Sequence, residues 1–251
     1  SFPFWLVADM ADLFSGPHLL LAQALRHLAT LRKALEGVQI NVSHGLVIRP
    51  IAGIDRKAVG MKLEGEFPLS LSAYAFDVVS NLRAALDHVG YASAVALGAN
   101  NPRNTAFPFA DTKKDLLKDR RLQKKREDIP PTIQRVILGF KPWRRGNRYL
   151  WGLNKLRNEK LHKLISQPRI AIATLPVEIP DGWEWGARNG KPYWDSKRNE
   201  LIAFTAPLDF VGPGPQMDFQ FQVALGGDNP LTGQPALPAL HRIGYEVENV
   251  I

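Results

Sequence analysis

The chain has 251 residues, a net charge of +8 and no cysteine, so disulfide bonds, thiolate catalysis and thiolate zinc sites are excluded. Its hydrophobic fraction of 45% and its charged fraction of 22% are typical of a folded globular chain and exclude a disordered one. The positive charge favours polyanionic partners, with nucleic acid as the first candidate.

The N-terminal segment, SFPFWLVADMADLF, is apolar but does not resemble a signal peptide. It lacks a basic leader, and it contains Asp9 and Asp12. Elsewhere no apolar run reaches the length that a membrane-spanning helix requires. We therefore expect a cytoplasmic protein with no membrane partner.

The next segment is predicted to form a helix followed by a β-hairpin. Apolar residues at three- and four-residue spacing predict the helix over about 18–37, with Gly37 as its C-cap. The hairpin is predicted at 44–67, because two alternating segments flank a turn at 52–55.

A long helix, LSLSAYAFDVVSNLRAALDHVGYASAVAL, follows Pro68, with Ser70 or Ser72 as its predicted N-cap. Its apolar residues cover nearly all sides, which is typical of a buried helix. Gly98 begins the turn that ends this helix, and the apolar segment FPFA follows at 107–110.

Three further helices are predicted in the middle of the chain. The basic segment 111–128 is compatible with a helix, a short helix is predicted over 132–138, and a longer one over 148–166. The inward-facing residues of the basic segment would be Leu116, Leu117 and Leu122.

The last third of the chain is predicted to be rich in β-structure. Strands are predicted at 169–179, 201–210 and 217–226, before a terminal helix at 236–251. Asn189-Gly190 lies between aromatic segments and predicts a β-hairpin.

No repeat and no linker rich in Ser, Gly or Pro marks a domain boundary. We therefore predict one α+β domain over 1–251. Its core would consist of long antiparallel helices at about 15–166, with antiparallel strands from the hairpin and from 169–226 packed on it.

Polar residues form a stripe on each of the two long helices. The stripes consist of Asp77, Asn81 and His88 on the first helix, and of Asn154, Asn158 and His162 on the second. Arg83 and Asp87 can pair beside the first stripe, and Arg157 flanks the second. Because unpaired polar groups are costly to bury, we expect the two stripes to face each other across a groove.

This predicted groove has two interpretations. Histidine suits proton transfer near neutral pH and arginine clamps phosphate, so Arg157, Asn158 and His162 suit cleavage of a phosphodiester without a metal. Alternatively, the stripes form a satisfied network that fixes the helix register, and the protein is a non-enzymatic binding or scaffold protein.

The segment Arg157-Asn158-x3-His162 resembles the Arg-x4–6-His motif of HEPN domains, helical proteins that include many metal-independent RNases. The resemblance implies a HEPN-like helical core in which Arg157 holds the scissile phosphate, Asn158 orients, and His162 handles the proton of the ribose 2′-hydroxyl. It also implies a homodimeric site, RNA as substrate, and a role in phage defence or in a toxin system with an antitoxin partner. Arg83-x4-His88 fits the same spacing.

A second resemblance covers more of the chain. The order of helix, hairpin, NLRAALDH, FPF and a later Asn-x3-His helix is similar to uncharacterised bacterial proteins with an Asn-Leu-Arg-Ser-Ala-Leu-Asp-His segment. Ala84 departs from that segment. The resemblance implies no function, and the position of Arg157 is usually acidic in that group. An RNase role would therefore be particular to sequences that, like this one, have arginine at that position.

Basic side chains in two segments are predicted to contact RNA phosphates. They are Lys113, Lys114, Lys118, Arg120, Arg121, Lys124, Lys125 and Arg126 in the first segment, and Arg144, Arg145 and Arg148 in the second. Alternatively, the first segment is a solvated helix or a mobile lid. A metal site built from Asp77, His88 and His162 lacks metal-binding spacing, so we expect no metal and no cofactor.

Overall fold

The protein has an α+β fold, as the sequence predicts. The structure is a computed structural model. It describes residues 13–41, 44–63, 68–99, 102–120, 123, 129, 131–159, 165–166, 179, 181–186, 192–195, 197–198, 200–210 and 223–251. The chain divides into two compact units. One comprises Ser1–Lys33, Leu69–Ser166 and Ala224–Ile251, and the other comprises Ala34–Pro68 and Gln167–Val223. The two units differ in where the chain packs against itself. They do not test the prediction of one domain over 1–251, which stays a prediction.

The described elements follow each other in this order: α1 (Ser15–Asn41), β1 (His44–Pro50), β2 (Arg56–Leu63), α2 (Leu69–Ala96), α3 (Lys113–Lys118), α4 (Pro131–Gly139), α5 (Arg148–Asn158), β3 (Ile165–Ser166), β4 (Glu184–Trp185), β5 (Tyr193–Asp195), β6 (Glu200–Pro207), β7 (Ala224–Leu225) and α6 (Ala236–Glu248). A short 3-10 helix, Pro102–Asn104, follows α2. None of the helices in these ranges is long and apolar enough to cross a bilayer.

The first unit is built around the contacts of α2 with α5 and α6. These helices bury leucine, valine and isoleucine side chains, of which Leu82, Leu153 and Ile243 are almost inaccessible to water. Each such side chain stabilises the fold by about 1.5–3 kcal/mol. The close packing leaves no room for a side chain at Gly152, whose added Cβ would lie 2.7 Å from the Cδ1 atom of Leu231.

The ends of α1 and α2 differ from the predicted caps. α1 continues past Gly37 to Asn41, and Gly37 lacks the positive φ of a helix-ending glycine, so the predicted C-cap is wrong. α2 begins at Leu69, which places Ser70 and Ser72 inside the helix rather than at its N-cap.

The other end of α2 follows the sequence prediction. Gly98 has a φ of 71°, and its N–H donates to the carbonyl of Val95 while the N–H of Ala99 donates to the carbonyl of Ala94. These two bonds form a Schellman motif, which satisfies carbonyls that the helix leaves unpaired.

The second unit contains an antiparallel sheet with the order β1-β2-β6, and β4 and β5 both pair with β6 on its other side. The β1–β2 hairpin confirms the hairpin predicted in this segment, although 64–67 lie outside the described residues. Val59 and Phe204 are buried in the sheet core with Trp183. A bulge at Gly60 brings β2 so close to β6 that an added Cβ would lie 1.8 Å from the carbonyl oxygen of Leu201.

The aromatic segments on either side of Asn189-Gly190 do not pair with each other in the described residues, and the dipeptide itself lies outside them. β4 and β5 flank it, and both pair antiparallel with β6. Two strands that are each antiparallel to a third run in the same direction, so they cannot be the arms of one hairpin. Trp185 of β4 packs on Phe204 of β6, with the two ring centroids 4.8 Å apart.

Other predicted elements lie partly outside the described residues. In the basic segment, α3 covers Lys113–Lys118, and Arg120 and Gln123 are helical beyond it. α3 buries Leu116 but exposes Leu117, while Leu122 lies outside the described residues. Thr112 caps this helix by accepting a hydrogen bond from the N–H of Asp115. Of the predicted strands 169–179 and 217–226, most residues also lie outside the described part of the chain.

Candidate functional site

A buried arginine connects α2 to the apolar segment that follows it. The guanidinium of Arg83 donates to the Asp87 carboxylate and to the carbonyl of Phe107, at 3.4 Å from the latter oxygen. The same carboxylate accepts from the N–H of Phe107 at 3.0 Å. The guanidinium also lies 4.5 Å from the ring centroid of Phe109. These contacts hold the segment at 107–110 against α2.

An open cleft of about 390 Å³ lies beside this arginine, between α2 and α5. Its lining residues are Ser80, Asn81, Arg83, Ala84, Asp87 and Arg157. Arg157 is the one residue of α5 among those that line the cleft. Its side chain is exposed, and its guanidinium lies 5.4 Å from the ring centroid of Phe76. The cleft therefore brings two guanidinium groups next to one carboxylate.

The electrostatics of the cleft favour an anion. Burial lowers the pKa of Arg83, the nearby charge of Arg157 lowers it further, and Asp87 opposes both effects. The shift leaves Arg83 charged at neutral pH, because an arginine pKa starts so high. Within the described ranges no carboxylate lies at ion-pair distance from Arg157. One positive charge in the cleft is therefore uncompensated there.

Ser80 lines the cleft and carries a hydroxyl without a hydrogen-bond partner among the described residues. Its Oγ atom is buried, and no hydrogen-bond partner for it exists in the described part of the chain. Asn81, one residue later, donates its side-chain amide to the carbonyl of Asp77 at 2.8 Å. Since a buried unpaired hydroxyl costs about 1–3 kcal/mol, Ser80 is a residue that an anionic oxygen would satisfy.

The polar stripe of α2 is divided between two neighbouring helices. The Oδ2 atom of Asp77 lies 3.9 Å from the Nδ1 atom of His27 in α1, and a Cβ added at Gly16 of α1 would lie 3.3 Å from the Nδ1 atom of His88. Asp77 and His88 are therefore beside α1. Asn81 of the same predicted stripe instead lines the cleft with Arg157 of α5, so only this member of the α2 stripe lies where the predicted groove would place it among the described residues.

The stripe on α5 is interrupted. The predicted helix over 148–166 ends at Asn158, and Glu159 has an extended backbone with φ −73° and ψ 153°. A tertiary contact accounts for this end, since the Glu159 carboxylate accepts from the N–H of Asp228 at 2.9 Å. Asn154 is half-buried and Asn158 is exposed, whereas His162 lies outside the described residues.

The predicted phosphate-contacting residues are exposed wherever the structure describes them. This holds for Lys113, Lys114, Lys118, Arg120, Arg144, Arg145 and Arg148, whereas Arg121, Lys124, Lys125 and Arg126 lie outside the described residues. Arg144 lies 5.8 Å from the ring centroid of Trp151.

Sequence reasoning missed Ser80 as a residue of the cleft and Phe76 as the aromatic contact of Arg157. A signal was available, because Phe76, Ser80, Arg83 and Asp87 recur at helical spacing on one side of α2. Across the described ranges, no group of three potential metal ligands comes together.

Comparison with protein-family models, curated proteins and solved structures found no match for this chain. The resemblance to HEPN domains therefore stays a prediction.

Proposed function

We propose that the protein binds RNA and cleaves it without a metal, with Arg157 holding a backbone phosphate at the cleft between α2 and α5. One observation carries this proposal: Arg157 is exposed at a cleft wall, next to a second guanidinium and without a carboxylate partner in the described ranges. A guanidinium in this situation favours phosphate, which it can bind through two parallel hydrogen bonds.

The proposed reaction is the attack of a ribose 2′-oxygen on the adjacent phosphorus. The P–O5′ bond breaks, and the products are a 2′,3′-cyclic phosphate and a 5′-hydroxyl. His162 takes the proton of the 2′-hydroxyl in the HEPN-like arrangement, and solvent or a second acid protonates the departing 5′-oxygen. Asn158 is exposed one residue after Arg157, where an amide can orient the phosphate or the ribose.

Several further parts of the proposal come from the HEPN resemblance. They are a homodimeric site, an antitoxin or other protein partner, and a role in phage defence or in a toxin system. Neither a metal nor a cofactor is needed for the reaction, because Arg157 and His162 would supply the charge and the proton transfer.

The first experiment incubates the purified protein with labelled total RNA in EDTA, alongside the Arg157→Ala and His162→Ala variants. Arg145→Ala is the matched control, because Arg145 is also exposed but does not line the cleft. We expect cleavage with cyclic-phosphate ends by the parent and the control, and a loss of at least about a hundredfold in both test variants. Cleavage that persists in the Arg157→Ala/His162→Ala double variant contradicts the proposal.

A second candidate function is supported by the contacts of Arg83. Arg83, Asp87 and the backbone of Phe107 satisfy one another, as expected if this side of α2 serves a non-enzymatic binding or scaffold protein. This candidate predicts that Asp77→Ala or His88→Ala lowers the melting temperature with no catalytic loss to measure. Absence of RNA cleavage by the parent, with and without added divalent metal, favours this candidate.

A further inference from the structure

We infer that a tyrosine surface formed by α5 and α6 binds unpaired bases of single-stranded RNA. The surface consists of Arg148 and Tyr149 at the start of α5 and of Arg242 and Tyr245 on α6. The inference rests on the proposed RNA-binding function, and it specifies the class of RNA and a second place of contact.

The four side chains alternate between guanidinium and ring. Arg148 lies 5.5 Å from the ring centroid of Tyr149, and Arg242 lies 5.8 Å from that of Tyr149 and 4.9 Å from that of Tyr245. Planar groups of this kind stack on nucleic-acid bases as well as on each other. The terminal helix thus contributes residues that are 93 or more positions distant in sequence from Tyr149.

Glu246 holds this arrangement in place. One of its carboxylate oxygens accepts from Arg242 at 2.8 Å, and the other accepts from the side-chain amide of Asn147 at 2.6 Å. The Oδ1 atom of Asn147 in turn caps α5 by accepting from the N–H groups of Tyr149 and Leu150. The surface is therefore positioned before any ligand binds, which reduces the entropic cost of binding.

Exposure and charge point to RNA as the occupant. Tyr245 is 52% exposed to solvent, which is high for an aromatic side chain on a helix that is otherwise well packed. Arg144 and Arg148 are exposed nearby on the chain, and the one carboxylate in the cluster, Glu246, is already bound by Arg242. A phosphate backbone complements this charge.

The same geometry distinguishes single-stranded from duplex RNA. Stacking on a tyrosine requires the flat face of a base, and a duplex already uses these faces in its own stack. A groove that recognised duplex RNA would need only cations along the backbone. The alternation of rings and guanidiniums therefore favours an unpaired strand.

The test measures fluorescence polarisation with a labelled single-stranded RNA whose 2′-hydroxyls are methylated, so that no cleavage accompanies binding. A duplex of the same sequence is measured in parallel. We expect Tyr245→Ala to weaken single-strand binding about tenfold, as the loss of one stacked base would. We expect Tyr245→Phe to restore it and duplex binding to be weak throughout. Tyr91→Ala is the matched control, because Tyr91 on α2 is also exposed, at 42%, and lies outside the surface.

The outcomes separate this inference from the proposed function. If the parent binds the single strand and Tyr245→Ala binds equally well, the tyrosine surface is overturned and the proposed function stands. Equal losses for single strand and duplex also overturn it. If binding follows the expectation but natural RNA is not cleaved in EDTA, the surface is supported and the nuclease proposal is overturned. A parent that binds no single-stranded RNA overturns the inference.

Discussion

The guanidinium of Arg157 lies 5.4 Å from the ring centroid of Phe76, and this contact joins α5 to the cleft side of α2. The ring attracts the cation while leaving its N–H groups available, because the interaction uses the face of the aromatic ring and no hydrogen bond. Phe76 therefore positions a charge that α5 alone would leave on a flexible side chain. The pair explains how an exposed arginine is kept at one wall of an open cleft.

Replacing Phe76 with leucine should weaken RNA binding by about two- to fivefold. The substitution keeps an apolar side chain but removes a cation–π contact worth about 0.5–1 kcal/mol at an exposed site. Binding is measured with the methylated single strand, and Phe76→Tyr serves as the control that keeps the ring. An unchanged affinity in Phe76→Leu, together with a loss in Arg157→Ala, would show that Phe76 does not position the arginine.

Replacing Ser80 with alanine should separate stability from binding. The free energy of unfolding should stay the same or rise by about 1 kcal/mol, because a buried hydroxyl without a described partner disappears. The affinity for RNA should fall by about five- to tenfold if a phosphate oxygen accepts from this hydroxyl. Urea denaturation and fluorescence polarisation measure the two effects. Ser93→Ala is the control, since Ser93 is a buried serine of α2 outside the cleft.

A lower stability of Ser80→Ala with unchanged RNA affinity would contradict this account of Ser80. It would show that the hydroxyl has a structural partner and takes no part in binding an anion.

The local elements of this fold were largely predictable because short-range chemistry determines them. The hairpin of β1 and β2 follows alternation around a turn, and the end of α2 follows from the freedom of Gly98 to adopt a positive φ. The sequence did not predict which neighbouring helix each polar residue of α2 lies beside. Helical spacing places Asp77 and Arg83 on different sides of α2, but it does not reveal that α1 lies beside the first and α5 beside the second.

The early end of α5 and the pairing of the segments beside Asn189-Gly190 both involve contacts with distant parts of the chain. Glu159 ends α5 by bonding to the N–H of Asp228, a residue 69 positions later. The two segments that flank Asn189-Gly190 both pair with β6, although the dipeptide favours a local turn. A single sequence does not reveal such contacts, so neither the end of α5 nor the pairing of β4 and β5 with β6 could be read from local patterns.

Two glycine substitutions should have opposite effects on stability. Gly60→Ala should lower the free energy of unfolding by about 3 kcal/mol or more, because its Cβ would meet the carbonyl of Leu201 at 1.8 Å and one strand must shift. Gly37→Ala should raise it by about 0.5–1 kcal/mol, because Gly37 lies inside α1 and a Cβ there would meet no atom within 4 Å. Thermal and urea unfolding measure both. A destabilising Gly37→Ala would contradict the continuation of α1 beyond that residue.

The coupling between Arg83 and Asp87 can be measured with a double-mutant cycle. Arg83 is 14% exposed, so Asp87→Ala leaves a largely buried guanidinium without its carboxylate and should cost about 2–3 kcal/mol. The double variant Arg83→Met/Asp87→Ala should cost about 1–2 kcal/mol less than the sum of the single variants, because it leaves no unpaired charge. Unfolding free energies from urea titrations provide all four corners of the cycle. Additive losses would show that the two side chains stabilise the fold independently, each through its own contact with the backbone of Phe107.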